Sequence, residues 1–483
     1  MSQEIKEIQP QEIWRNFAKI NAIPRASRKE EAIIAYMKAF GENLGLEVVI
    51  DPVQNVIITK PATVGMENRK TIVMQSHLDM VHQKNNDTIF DFDTEGIKMY
   101  VDGDWVKAKG TTLGADNGLG VATIMAVLES TDIPHPAIEA LFTIDEESGM
   151  TGALGLQAGY LTGEILLNLD TEDDDELGVG CAGGMDITAT HTYLNQETST
   201  KAKAYKITVK GLQGGHSGVD IHKEFGNANK IMNRILMATF DHISIAEIDG
   251  GSLRNAIPRE SNSMVVINDE AAFKEAFAKI TNDIKEEFKN KESNLTLTFK
   301  ETTTPGSVLP DDDALNLLQV IYASFNGVFR MSPDIEGLVE TSNNVAKVRV
   351  GNGEIAIKCL TRSSIESGKW DLVHMLESTF EMIGYVVTLS GEYPGWKPNT
   401  DSNILKVVKK KYTDIFKEEP KVIACHAGLE CGILGANYPE MDMISFGPTI
   451  KGAHSPDERA SISSVQKYWK FFLEIIKDIP ERN

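Results

Sequence analysis

The sequence predicts an α/β protein with a mostly parallel sheet flanked by helices, interrupted by an inserted α+β domain that is built twice over. Three observations carry this reading. Short apolar, β-branched runs without clean alternation, such as Thr71–Met74, look like strands buried on both faces. Such runs alternate with helical patterns up to Asp170, as the strands of a parallel sheet do. From Met185 the texture changes to amphipathic strands, and the order helix, strand, strand, helix, strand occurs twice before the first texture returns.

In chain order, Pro10–Ile20 and Ser27–Leu44 read as amphipathic helices, the second with Ser27 and Glu30 spaced as a capping box. Glu47–Asp51 and Asn55–Lys60 alternate as a hairpin, and the strand Thr71–Ser76 follows. A helix is expected from Gly118 to about Glu129, and strands at Ala137–Ile144 and Glu164–Leu169. Asp170–Glu176 is a dense acidic run, read as a solvated loop apart from Asp170, and Cys181–Gly184 as a hinge-like turn. Strands Met185–Tyr193 and Lys203–Val209 open the inserted part. Its first half continues with Lys223–Ala238, His242–Asp249, Ser261–Asn268, Ala271–Asn290 and Leu295–Glu301. The second runs through Asp311–Phe325, Thr341–Val350, Glu354–Thr361, Gly368–Ile383 and Tyr385–Glu392. The stiff, turn-rich Gly391–Pro398 leads back to a helix (Ser402–Phe416), strands at Lys421–Ala424 and Met443–Phe446, and a closing helix (Ser463–Ile476). Residues 1–185 and 396–483 therefore form one discontinuous domain, and 186–395 the insert.

Composition narrows the function. A chain of 483 residues exceeds one ordinary core, and 41% hydrophobic with 24% charged residues is a globular composition. The net charge of −22, from 48 basic and 70 acidic residues, argues against nucleic acid and against anionic membranes. Met1–Lys6 lacks the apolar core of a signal peptide, and no apolar run approaches membrane-spanning length. Four cysteines in so long a chain make no disulfide framework, which suits a reducing compartment. The expectation is a cytoplasmic protein without nucleic-acid or membrane partners, monomeric or homodimeric.

Chemistry gathers at the ends of the apolar runs. Thr71–Met74 leads into His77-Leu78-Asp79, Ala137–Ile144 into Asp145-Glu146-Glu147, and Glu164–Leu169 into Asp170. Gly114-Ala115-Asp116-Asn117-Gly118 opens a helix, and the loop after Met443–Phe446 carries Gly452-Ala453-His454-Ser455. In open α/β sheets, ligands lie beyond the carboxyl ends of the strands. A lone His-x-Asp is a weak signal, but five such segments supply two histidines and several carboxylates. That donor set suits Zn²⁺ or a similar divalent ion.

These five motifs, in this order along nearly the whole chain, resemble the co-catalytic di-zinc exopeptidases, a family that includes aminoacylases, carboxypeptidase G and several dipeptidases. Within it they are most similar to the aminoacyl-histidine dipeptidase branch. The resemblance implies a lid formed by the doubled insert and two divalent metal ions, Zn²⁺ first, with Co²⁺ or Mn²⁺ as alternatives. It gives Asp116 as the carboxylate shared by both metals, His77 and Asp170 as further ligands of one, and Glu147 and His454 of the other. Asp116 is also the only ligand candidate on a glycine-flanked turn into a helix. If Glu147 binds metal, Glu146 is placed to act as general base. Asp79 would hold the His77 imidazole in its metal-binding tautomer. In the insert, the resemblance makes His216 of Gly214–Gly218 a carbonyl-polarising residue, with Asn255 and Arg362 as substrate-binding residues. His82 is read as a solvated loop residue and His135 as a turn residue. The segment Cys425–Cys431 is read as pocket lining, with Glu430 a substrate-contact candidate. The implied activity is hydrolysis of dipeptides, preferring Xaa-His and including carnosine-type substrates. The alternatives are an N-acyl amino acid deacylase or a broad-range di/tripeptidase of the same family.

Overall fold

The computed structural model describes residues 3–199 and 201–482, so the N-terminal reading at Met1 and Ser2 lies outside the described residues. The chain forms two units. One comprises residues up to 180, 398–424 and those from 429 onward, and the other 181–397 with 425–428.

In the first unit the apolar runs become strands because they are covered on both faces. Ile72–His77 and Ile138–Thr143 are buried at every position, which is why neither run alternates. The eight-stranded sheet has the order Glu47–Ile50, Val56–Lys60, Ile138–Thr143, Ile72–His77, Ile165–Asn168, Asp442–Ser445, Glu176–Cys181, Lys421–Cys425. Its four central strands are parallel, so their carboxyl ends share one edge. The hairpin Glu47–Ile50 with Val56–Lys60 extends it antiparallel. The helix Ala115–Glu129 is apolar on all sides and buried except at Asp116 and Glu129. It packs against Ile72–His77 and the helix Gln11–Ile20. A small four-stranded sheet (Ile450–Lys451, Arg459–Ser461, Trp105–Ala108, Met99–Asp102) was not foreseen, because strands of two to four residues leave no periodic trace.

Several local expectations are corrected here. The second helix begins at Glu31, and Ser27 caps nothing: its hydroxyl donates to Asp79 at 2.7 Å. The acidic run is not merely solvated, since Asp173, Asp174 and Asp175 pair with Lys451, Lys467 and Lys421. His82 is half-buried and stacked on Phe92 at 4.2 Å between ring centroids. His135 is fully buried, its Nδ1 held 2.7 Å from the Pro136 carbonyl.

The second unit is built on an antiparallel sheet of nine strands. One half has the order Thr296–Thr302, Lys203–Lys210, Ser261–Ile267, Ile243–Gly250. The other continues as Val339–Gly351, Glu354–Ser363, Gly183–Thr192, Val386–Tyr393, with Gly327–Met331 appended to Val339–Gly351. Taken outward from the junction, each half presents its second, third, first and fourth strands in sequence, so the doubling seen in the pattern is a doubling of topology. The halves join where Ile248, Asp249 and Gly250 face Val350, Arg349 and Val348. Helices Ala228–Thr239, Glu270–Phe288, Asp311–Ala323 and Glu366–Glu381 contribute to one apolar core with the sheet. The first of these starts five residues later than the sequence suggested. Asn227 accepts from the N–H groups of Asn229 and Lys230 and so sets the start.

Cys181–Gly184 is not a hinge-like turn. Gly183 begins a strand, and the flanking Cys181 bridges Trp396. A Cβ on Gly183 would lie 2.5 Å from the Gly395 nitrogen and the Tyr393 oxygen, both backbone atoms that cannot swing aside. Gly183→Ala should therefore destabilise the protein by about 1–3 kcal/mol, the usual cost of overpacking, read by urea denaturation. An unchanged denaturation midpoint would mean that the backbones separate freely there.

Candidate active site

Within the first unit, the parallel strand ends and neighbouring loops deliver the expected side chains to one place. His77 is the last residue of its strand and is buried. Its Nδ1 lies 3.1 Å from the Asp79 carbonyl oxygen and 3.4 Å from Asp79 Oδ1. Both are acceptors, so the proton sits on Nδ1 and Nε2 is turned to Asp116 Oδ1 (3.1 Å) and Asp170 Oδ1 (3.6 Å). Asp79 does more than orient the imidazole. It also accepts from the N–H groups of Glu146 (3.1 Å) and Glu147 (3.2 Å), so one carboxylate aims His77 and the acidic pair together.

Asp116 sits just past Gly114, whose φ of +70° starts the turn into the helix. Asp116 and Asn117 are themselves non-helical, and the peptide bond between them is cis. The two Asp116 oxygens face different histidines: Oδ1 faces His77, and Oδ2 lies 3.1 Å from His454 Nε2. Asn117 Nδ2 donates to the Leu169 carbonyl (2.8 Å) and to Asp170, fixing that strand end. Glu147 Oε2 is 2.9 Å from His454 Nε2, while Glu147 Oε1 is buried without a partner.

Two potential ligand groups result, His77–Asp116–Asp170 and Asp116–Glu147–His454, each with its ligand atoms within 4.8 Å of one another. They share Asp116. A third group, His77–Glu146–Glu147, overlaps them. Imidazole nitrogens and carboxylate oxygens aimed at common points repel unless a cation lies between them. The electrostatics of the protein alone register this. Hydrogen bonds donated to Asp116 and Glu147 push His454 up to about 11. Burial pushes His77 down, but Asp170, Asp116 and Asp79 outweigh it and hold it well above its usual value. Burial pushes Asp170 up to about 6 despite His77, and Glu146 well above the carboxylate range. Two histidines and four carboxylates, one with an unpartnered buried oxygen, fit a pair of divalent cations.

The second unit carries its own cluster. Arg362 is 5% exposed and donates through Nη1 to the Tyr393 hydroxyl (2.6 Å), while its Nε has no partner. His216 Nδ1 accepts from the N–H groups of Gly218 (3.2 Å) and Val219 (3.0 Å), which leaves the ring proton on Nε2. Burial, then Arg362, pushes His216 down to about 4, so the ring is neutral. His426 is also buried, with Nε2 2.8 Å from Ser342 Oγ. A Cβ on Gly218 would meet the His426 oxygen at 2.0 Å, His216 Cε1 at 3.1 Å and Arg362 Cδ at 3.2 Å. Glycine is thus what lets these three neighbours close up. Asn255 is exposed, and its carbonyl accepts from the Ser217 N–H at 2.8 Å.

Cys425–Cys431, read as pocket lining, is divided. His426 belongs with the second unit, whereas Glu430 lies in the first. Glu430 is buried, bonded to Gln75 Nε2 and Thr143 Oγ1 at 2.6 Å each, and burial pushes it up to about 8. No cysteine enters a potential ligand group among the described residues. Asn117 and Ser27 were missed as supports of the site. Asn117 stands beside Asp116 in the motif, but nothing in the sequence pairs Ser27 with Asp79, since their contact is tertiary.

A central parallel sheet carrying histidines and carboxylates beyond its strand ends, interrupted by an α+β insert, defines a metallopeptidase architecture. Residues 73–478 match peptidase family M20/M25/M40, and the chain belongs to that family. It is 44% identical over 487 residues to the cytosol non-specific dipeptidase of Escherichia coli (strain K12), covering 99% of this chain and 100% of that one. The crystal structure of aminoacylhistidine dipeptidase from Vibrio alginolyticus is similar with a TM-score of 0.91 and 44% identity, covering 100% of this chain and 99% of that one. A tripeptidase from Staphylococcus aureus shares the fold, with a TM-score of 0.61 at 19% identity, covering 98% of this chain and 99% of that one.

Cations that bind the native ligand groups stabilise the folded chain by mass action. Chelation should lower the melting temperature, and Zn²⁺ at about 100-fold over its Kd should restore about 2.7 kcal/mol per site. Calorimetry with and without chelator tests this, and an unaltered transition would argue against bound metal.

Proposed function

We propose that the protein is a metal-dependent dipeptidase that hydrolyses short peptides, Xaa-His and carnosine-type substrates among them, at a two-metal centre. The observation that carries this reading is the pair of ligand groups sharing Asp116, with Glu146 beside them. Residues 1–185 and 396–483 would form the metal-binding domain, and 186–395 the inserted substrate-binding domain. Asp116 would serve both metals, His77 and Asp170 one, and Glu147 and His454 the other. The ions are proposed as Zn²⁺, with Co²⁺ or Mn²⁺ as substitutes. Such a pair, when bound, supplies Lewis-acid polarisation and a water that ionises near neutral pH. The names of the two 44%-identical relatives support a dipeptidase, and that of the Escherichia coli protein supports a cytosolic one.

Glu146 takes the proton from the attacking water and returns it to the leaving amine. It is half-buried, and its backbone N–H is fixed by Asp79. Asp79 fixes the N–H groups of Glu146 and Glu147, so both side chains leave one anchored turn. In the inserted domain, His216 is a neutral imidazole with its proton on Nε2, a donor for the carbonyl oxygen on which charge develops. Arg362 is a buried cation whose Nε lacks a partner. Its planar fork suits a peptide carboxylate, and Asn255 would add a hydrogen bond.

Glu146→Gln should keep both metals and slow turnover by about 10²–10⁴-fold, the usual worth of a general base. Metal content and kcat measured on one preparation decide it. Near-normal turnover with full metal would remove Glu146 from the mechanism. If Arg362 reads the substrate's terminal carboxylate, wild type should prefer an Xaa-His dipeptide over its C-terminal amide by on the order of 10²–10⁴ in kcat/KM. Arg362→Ala should lose most of that preference. Equal cleavage of acid and amide by wild type would defeat the assignment.

A further inference from the structure

The loop carrying His454 continues to Glu458, a carboxylate only 2% exposed. Its Oε2 accepts from the N–H groups of Leu113 (2.7 Å) and Gly114 (2.9 Å), and its Oε1 from those of Ala115 (2.7 Å) and Asp116 (3.2 Å). Four successive backbone donors therefore converge on one side chain. Asp116 and Asn117 depart from helical geometry here, although the Gly118 N–H still reaches the Gly114 carbonyl at 3.2 Å. The Gly114 carbonyl is held separately by Arg25, which is 1% exposed and donates to it at 2.6 Å. Arg25 also donates to the carbonyls of Leu78 and Asp79 at 3.0 Å each. A Cβ on Gly114 would lie 2.4 Å from Arg25 Nη2, so this approach requires glycine. The loops bearing His77, Asp116 and His454 are thus tied together by two buried charged side chains. Neither belongs to a potential ligand group.

A carboxylate buried beside so many others is electrostatically unfavourable and must be offset by what it holds. Here the four N–H bonds are charge-assisted, and they bind the turn that presents the shared ligand. We propose that Glu458 is a positioning residue: it fixes the Asp116 carboxylate and, through the loop it shares with His454, the spacing between the two ligand groups. The proposal rests on the two-metal reading above.

Glu458→Gln keeps the shape but turns an NH₂ group toward two backbone donors. Glu458→Asp keeps the charge but withdraws it by one methylene. Glu292→Gln is a control, because Glu292 is also 2% exposed and accepts from the backbone of Gln213 and Gly226 at 2.8 Å each, in the other unit. Zinc binding by equilibrium dialysis, the melting temperature of the metal-free form, and kcat and KM should be measured for all four proteins. The expected result is a loss of about 10–100-fold in affinity for at least one zinc in Glu458→Gln, with a lower kcat. Glu292→Gln should lose stability but bind zinc normally. Should Glu458→Gln not fold, the same zinc loss in Glu458→Asp supports the proposal. Zinc binding at wild-type affinity in a folded Glu458 variant, or an equal loss in Glu292→Gln, overturns it. Wild type that binds no zinc would overturn the two-metal reading and this proposal together. Two zinc ions held equally by wild type and Glu458→Gln would overturn only the positioning role.

Discussion

Five ionisable groups crowd around Asp116, and most of the first unit can be understood as the means of holding them there. Asp116 faces His77 with one oxygen and His454 with the other, while Asp170, Glu146 and Glu147 lie close by. Carboxylates brought together out of water repel, and the unfolded chain has no reason to gather them. The protein meets this with rigid supports. The central parallel strands put His77, Asp145–Glu147 and Asp170 on one sheet edge without any long side chain having to reach. Asp79 restrains three neighbours at once, and Asn117 braces Asp170.

The second unit solves the opposite problem, a cation kept from water. Arg362 sits beside neutral partners, with the Tyr393 hydroxyl on one nitrogen and the His216 ring and the His426 backbone close to Gly218 along with its stem. Burial and the guanidinium itself hold those imidazoles uncharged, so the cluster contains one positive charge rather than three. A fixed charge with unspent hydrogen-bonding capacity favours an anionic ligand over a neutral one. The duplicated sheet provides the frame: Arg362 lies on a strand of one half, and His216 follows a strand of the other.

Much of this was legible in the chain. Strands buried on both faces announce themselves by apolar runs without alternation, and all four central strands were placed within two residues. The doubled order of helices and strands was likewise visible, because amphipathic elements keep their period whatever they pack against. Boundaries slipped where a side chain sets them locally, as Asn227 does for its helix. Ser27 misled for a related reason: a capping pattern is local, but its hydroxyl found a stronger acceptor in Asp79, far along the chain.

What the sequence determined by itself was the inventory: which runs become strands, which residues end them, and that two histidines and several carboxylates end up beyond strands whose carboxyl ends point one way. These follow from periodicity and chain direction, which need no knowledge of neighbours. Only the tertiary structure decided the pairings. That Glu458 binds the Asp116 turn, that Arg25 bridges Leu78 to Gly114, and that His426 leaves the segment of Glu430 depend on contacts between residues up to several hundred positions apart. Buried polar groups must find partners wherever the fold brings them, and a carboxylate's choice among backbone donors leaves no mark on composition or period.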